Sequence, residues 1–92
     1  MKPLEKYFIG RGEVKGFKFT QLKATDLAYM YQVEDGGMIH YEVFEKRINA
    51  RFGNISYPNS NAFGIWAWTF RDFDKAMRKF NELNKKEGLK YG

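Results

Sequence analysis

Leu27, Tyr29, Tyr31 and Val33 hold the odd positions of one stretch, and Ile39, Tyr41 and Val43 hold those of the next, with Asp35-Gly36-Gly37 between them. Alternation of period two is the mark of a strand, and two such runs around a glycine pair commit this part of the chain to a β-hairpin. Opposed residues of an antiparallel pair share a face. Matching the odd positions therefore sets Val33 against Ile39, Tyr31 against Tyr41 and Tyr29 against Val43. That register predicts a three-residue loop of Asp35, Gly36 and Gly37, with Gly37 supplying the positive φ.

Glu13 to Lys23, with Phe17 and Phe19 in alternation, reads as a strand that joins the Leu27 strand through Ala24-Thr25-Asp26. Leu22 falls out of phase, which points to a bulge. Downstream, Gly53-Asn54 between Ile48 to Phe52 and Ile55 to Tyr57 carries the signature of a two-residue hairpin turn. Pro58-Asn59-Ser60-Asn61 predicts an exposed turn. Phe63 to Thr69 then reads as a strand dense in aromatics. Beyond it, Phe73, Ala76, Met77, Phe80 and Leu83 recur at intervals of three and four, the apolar stripe of an amphipathic helix. Thr69 as N-cap, Asp72 at N3, and a staple of Trp68 with Phe73 would start that helix. Gly88 would follow its last turn, giving a helix of about 69–87.

The expected fold is α+β: an antiparallel meander of four to five strands followed by one C-terminal helix packed on one face. With 92 residues, the chain is read as a single domain, 1–92, with residues 1–10 read as a flexible lead-in. No Cys is present and His occurs once, so a disulfide framework, a thiolate site and His-rich ligation are all excluded, and no metal or cofactor is expected. The first residues lack the apolar run of a signal peptide and no stretch is long and apolar enough for a membrane span. A cytoplasmic protein without membrane contact is the expectation.

Aromatic and apolar residues stand on both faces of the strands. Ile39, Tyr41 and Val43 lie on one side of their strand and Met38, His40 and Phe44 on the other, while Trp66, Trp68 and Phe70 oppose Ile65 and Ala67. One helix covers one face of a sheet. The second face must then curve onto itself or meet a partner, and Tyr29, Tyr31, Tyr41, Trp66 and Trp68 are the candidate partner-binding residues, because Tyr and Trp concentrate at interface cores. The partner would be another protein or a second copy of the chain.

The formal charge of +5 suits an acidic partner or a polyanion as well as plain solubility. Arg47, Arg51, Arg71, Lys75, Arg78 and Lys79 are the candidate nucleic-acid contacts, though Asp72, Asp74 and Glu82 interleave with them and the pairs Asp74 with Arg78 and Glu82 with Lys86 suit a solvated helix face. Base stacking on the sheet tyrosines and tryptophans is the weaker form of this reading, because the alternation of strands and helices found in RNA-recognition domains is missing.

An enzymatic reading rests on His40, Glu42 and Lys46, which share one face of a strand and could in principle cleave RNA by acid-base chemistry. A single strand His is more often a hydrogen-bonded structural residue, so a non-enzymatic protein without catalytic residues is expected. Gly10-Arg11-Gly12 with Gly16 lacks the spacing of a phosphate-binding loop and precedes a strand, where such a loop must open a helix.

The runs His40-Tyr41-Glu42-Val43-Phe44, Ser56-Tyr57-Pro58 and Ala62-Phe63-Gly64-Ile65-Trp66-Ala67-Trp68-Thr69 are similar to those of short uncharacterised proteins of gut bacteria and their phages, over Gly12 to Leu83. The resemblance implies a phage or mobile-element setting, in which a small domain acts by binding a larger macromolecule. It assigns no residue a role. The expected function is a binding module working through protein contact, with nucleic-acid binding as the alternative and RNA cleavage third.

Overall fold

The Gly36-Gly37 pair decides how the central hairpin is drawn. In the computed structural model, which describes residues 4–49 and 53–89, both glycines have positive φ, 56° and 89°, as a two-residue type I′ turn requires. Asp35 pairs with Met38, so the loop holds two residues and not the three predicted. Tyr29, Tyr31 and Val33 consequently face Phe44, Glu42 and His40. A slip of one residue moves every side chain of a strand to the other face. The expected pairing of Tyr31 with Tyr41 fails because both faces of the second strand are apolar, so pattern alone does not choose a register and the turn glycines do.

Among the described residues, seven strands and one long helix follow in order: β1 (Tyr7–Ile9), β2 (Lys18–Ala24), β3 (Ala28–Asp35), β4 (Met38–Glu45), β5 (Ile48–Asn49), β6 (Asn54–Ile55), β7 (Ala67–Phe70) and α1 (Phe73–Leu89). The main sheet runs β1-β2-β3-β4-β7 and every pair in it is antiparallel. This is the meander of the α+β reading, interrupted between β4 and β7 by the small β5–β6 hairpin. Within the lead-in, Tyr7–Ile9 form β1, an edge strand in which Phe8 pairs with Phe19. The bulge expected near Leu22 is present, between Gln21 and Lys23.

Other boundaries move. Gly12–Val14 is a 3₁₀ turn, so the strand after it starts at Lys18 and not at Glu13. Asn49 pairs with Asn54, which places Asn54 in β6 rather than in a two-residue turn. The strand expected from Phe63 begins only at Ala67 and continues to Phe70. Helix α1 accordingly starts at Phe73, and the Ala76 N–H donates to the Asp72 carbonyl at 3.1 Å. Asp72 is therefore at the N-cap position, while Thr69 is engaged in the ladder opposite Glu42. Pairing of Trp68 with Val43 also removes Trp68 from the expected staple. At the far end the helix runs through Gly88 to Leu89.

Each sheet face carries its own core. On one, Ala28, Met30 and Val43 meet Ala76, Phe80 and Leu83 of α1, with Tyr41, Trp68, Phe70 and Met77 around them. Positions 76, 80 and 83 lie on one side of a helix of 3.6 residues per turn. The Asn84 side chain completes this contact by accepting from Thr25 in the β2–β3 turn. On the opposite face, Phe19, Tyr29, Tyr31, Val33, Phe44 and Ala67 are sealed by Ile55 and Ala62 from the β4–β7 connection, with Tyr57 and Phe63 beside them. Tyr57 stands edge-on to Phe8, Phe19, Tyr31 and Phe44, at centroid distances of 5.5, 5.3, 5.9 and 5.3 Å. Edge-on aromatic pairs contribute roughly 0.5–1.5 kcal/mol each beyond area burial. The face opposite the helix is thus closed by the chain's own connection, and needs no partner to cover it.

Candidate functional site

That closure decides the fate of the predicted partner residues. Tyr29 and Tyr31 are in the core, 4% and 0% exposed, and present nothing to a partner. Tyr31 donates to the Glu5 carbonyl and accepts from the Gln21 amide at 3.0 Å. Trp66 is half-buried under Arg47, whose guanidinium lies 5.4 Å from the ring centroid. Trp68 is half-buried on the helix side with the Lys79 ammonium 3.9 Å from its ring. Tyr41 meets Phe73 edge-on at 5.5 Å. These side chains are split between the two faces and do not form one surface.

The predicted basic set divides in the same way. Arg47 pairs with Glu45 at 3.0 Å, and Lys79 pairs with Glu82 at 3.3 Å while lying on Trp68. Glu82 thus has Lys79, one turn back, beside it, and the Lys86 side chain of the expected pair lies outside the described residues. Arg71, Lys75 and Arg78 are exposed at the start of the helix. Arg51 lies outside the described residues. The cations are therefore not gathered into one stripe.

His40 and Glu42 do come together. The His40 Nε2 is 3.4 Å from Glu42 Oε2, and the Tyr57 hydroxyl donates to Glu42 Oε1. Glu42 is 7% exposed, the one buried charged side chain among the described residues. Burial, reinforced by the Glu42 carboxylate, pushes the Tyr57 phenol far above its ordinary range. Tyr57 therefore acts as a neutral donor. Lys46 lies beyond the end of β4, and no ion pair joins it to Glu42 among the described residues, so it is not part of this group. Pairing His40 and Glu42 was legible as a spacing of two on a strand; the third member, Tyr57, comes from an irregular segment and has no local signal.

A cavity of about 470 Å³ opens beside this group, lined by Arg11, Glu13, Phe19, Glu42, Tyr57 and Phe63 among others. Its position follows from the glycine segment. Gly10 is buried, donating to the Phe17 carbonyl at 2.8 Å, and the Gly12–Val14 turn folds over the sheet face. An added Cβ at Gly10 would strike the Val14 carbonyl and the Phe19 ring. Gly10 so serves a close backbone approach, while Gly12 and Gly16 hold positive φ of 64° and 87° in the turn beside it.

A second surface lies on the helix side. Tyr7, Thr20, Gln32 and Tyr41 form one cross-strand row, and Ile9, Lys18, Glu34 and Ile39 form the next. Because Phe8 and Phe19 face the other way, into the core, both rows face the helix side. Helix α1 packs on β3, β4 and β7, and its buried sheet partners are Ala28, Met30 and Val43. Tyr7, Ile9 and Ile39 consequently remain 54%, 47% and 46% exposed.

Comparison with known protein families, curated proteins and solved structures finds no match for this chain. Among the described residues no helix is long and apolar enough to cross a membrane, and no three His, Asp or Glu side chains converge as a metal site would require.

Proposed function

We propose that the chain is a cytoplasmic binding module that takes a protein partner, or a second copy of itself, on the part of the helix-side sheet face that α1 leaves open. The observation that carries this reading is the pair of cross-strand rows bearing Tyr7, Ile9 and Ile39 at about half exposure. Large side chains displayed together on a rigid sheet are what protein contacts use, and isolated exposed apolar residues do not form such rows. The second row carries Lys18 next to Glu34, flanked by Ile9 and Ile39. Opposite charges between two apolar ends suit an isologous contact, in which the same patch meets itself. The resemblance to proteins of gut bacteria and phages is in keeping with a modulator that acts by such contact.

The test is capture from host extract, with and without nuclease, paired with light scattering of the purified protein. Ile39→Glu and Tyr7→Glu should abolish association, while Lys75→Glu and Arg78→Glu should leave it intact. A reversed pattern, with association lost to nuclease and falling steeply as salt rises, would establish the nucleic-acid alternative on Arg71, Lys75 and Arg78 instead. Cleavage of RNA by the wild type, lost in a folded His40→Ala variant, would overturn the non-enzymatic reading.

A further inference from the structure

The cavity on the opposite face is not used by that reading. Val14, Phe19, Pro58 and Phe63 give it apolar walls, Tyr57, Asn59 and Ser60 add neutral polar groups, and the Glu42 carboxylate is the charged group that reaches it from within the fold. A carboxylate offers about four lone-pair positions, and Glu42 fills two, one on each oxygen, with Tyr57 and His40. Neither a Lys nor an Arg pairs with it among the described residues. Its neighbours across the strands, Tyr31 and Thr69, are neutral. A buried carboxylate whose one basic neighbour is a histidine at 3.4 Å is incompletely compensated, and a cation delivered to it is correspondingly favoured. The rings of Phe19, Tyr57 and Phe63 add aromatic surface, which attracts organic cations. Arg11 and Glu13 at the same cavity are exposed and of opposite sign, so they leave Glu42 as the discriminating charge.

We propose that this cavity binds a small organic cation, an ammonium or guanidinium group on an apolar or aromatic body, with the charged head on the free lone pairs of Glu42 and the body against Phe19 and Phe63. A volume of about 470 Å³ falls in the range of roughly 300–1,000 Å³ typical of small-ligand sites. The site is independent of the open strip across the sheet.

Benzylammonium and benzylguanidinium are the probes, titrated into the isotope-labelled full chain, with benzyl alcohol and benzoate as neutral and anionic matches of the same shape. At least one cation should bind saturably at millimolar concentration and shift the backbone amides of Glu42, Ser60 and Phe63. Benzyl alcohol and benzoate should bind at least about tenfold more weakly, as should the cation to Glu42→Gln, since hydrogen bonds to charged groups are the stronger class. Equal binding of the alcohol, undiminished binding by a folded Glu42→Gln variant, or no saturable binding of either cation would overturn the proposal. If Glu42→Gln does not fold, the wild-type comparison of cation with alcohol decides alone.

Discussion

Tyr57 shows how one residue can join a core to a polar group. Its ring closes the aromatic face and its hydroxyl satisfies the buried Glu42. Tyr57→Phe keeps the ring and leaves Glu42 short of a donor, so chemical denaturation should register a loss of about 1–3 kcal/mol. Tyr57→Ala, which also empties the space among four rings, should cost about 3–5 kcal/mol in the same measurement. The phenols of Tyr57 and Tyr31 are both held above their ordinary value by burial. Their contribution to stability is fully present below the unfolded tyrosine value of about 10 and declines as pH rises past it. Phenolate absorbance from these two residues, isolated by comparison with Tyr57→Phe and Tyr31→Phe, should therefore appear only together with alkaline unfolding. Gly10 is the opposite case, a residue defined by what it lacks. Gly10→Ala should destabilise the fold by about 1–3 kcal/mol by forcing Val14 off Phe19, and its melting temperature should fall accordingly.

At the scale of elements, the β3–β4 hairpin shows why a clear pattern can still leave register open. Alternation marked both strands, and the match of odd positions to odd positions was chemically sensible. Val43 and Phe44 are both fully buried, on opposite faces, so either register would bury an apolar set. The two positive-φ glycines break the tie. Gly36→Asn should be tolerated within about 0.5 kcal/mol, because Asn-Gly is a favoured I′ pair. Gly37→Val should cost at least about 1–2 kcal/mol, the penalty for forcing a branched residue into left-handed backbone. Equilibrium unfolding of the two variants checks the turn assignment, since a three-residue loop ending in one left-handed glycine would not place Gly36 in positive φ. Helix α1 was easier to read, as Ala76, Phe80 and Leu83 repeat at its period. Its start was not, because Thr69 makes both a good N-cap and a good strand residue, and the ladder with Glu42 claims it.

The whole molecule distributes its aromatics differently from the way a list of them suggests. A single helix beside a sheet apolar on two faces implies an uncovered surface, and the structure relocates that surface. The β4–β7 connection closes the face opposite the helix, and the opening falls on the helix side over β1, β2 and the ends of β3 and β4 next to their turn. Ile39→Glu should leave unfolding free energy within about 0.5 kcal/mol of wild type, since the residue is half exposed and away from both cores. Loss of association in that variant, measured by sedimentation, would then report on the surface and not on folding.

The amino-acid sequence by itself determined the α+β class, the meander, the bulge near Leu22 and the core stripe of the helix, because each depends on local period or turn chemistry. It also brought His40 and Glu42 to the same side of a strand. Only the tertiary structure decided which tyrosines are buried, which face stays open and where Tyr57 meets Glu42. Those outcomes depend on how an irregular connection packs across a sheet, and an irregular segment has no period from which its contacts can be read.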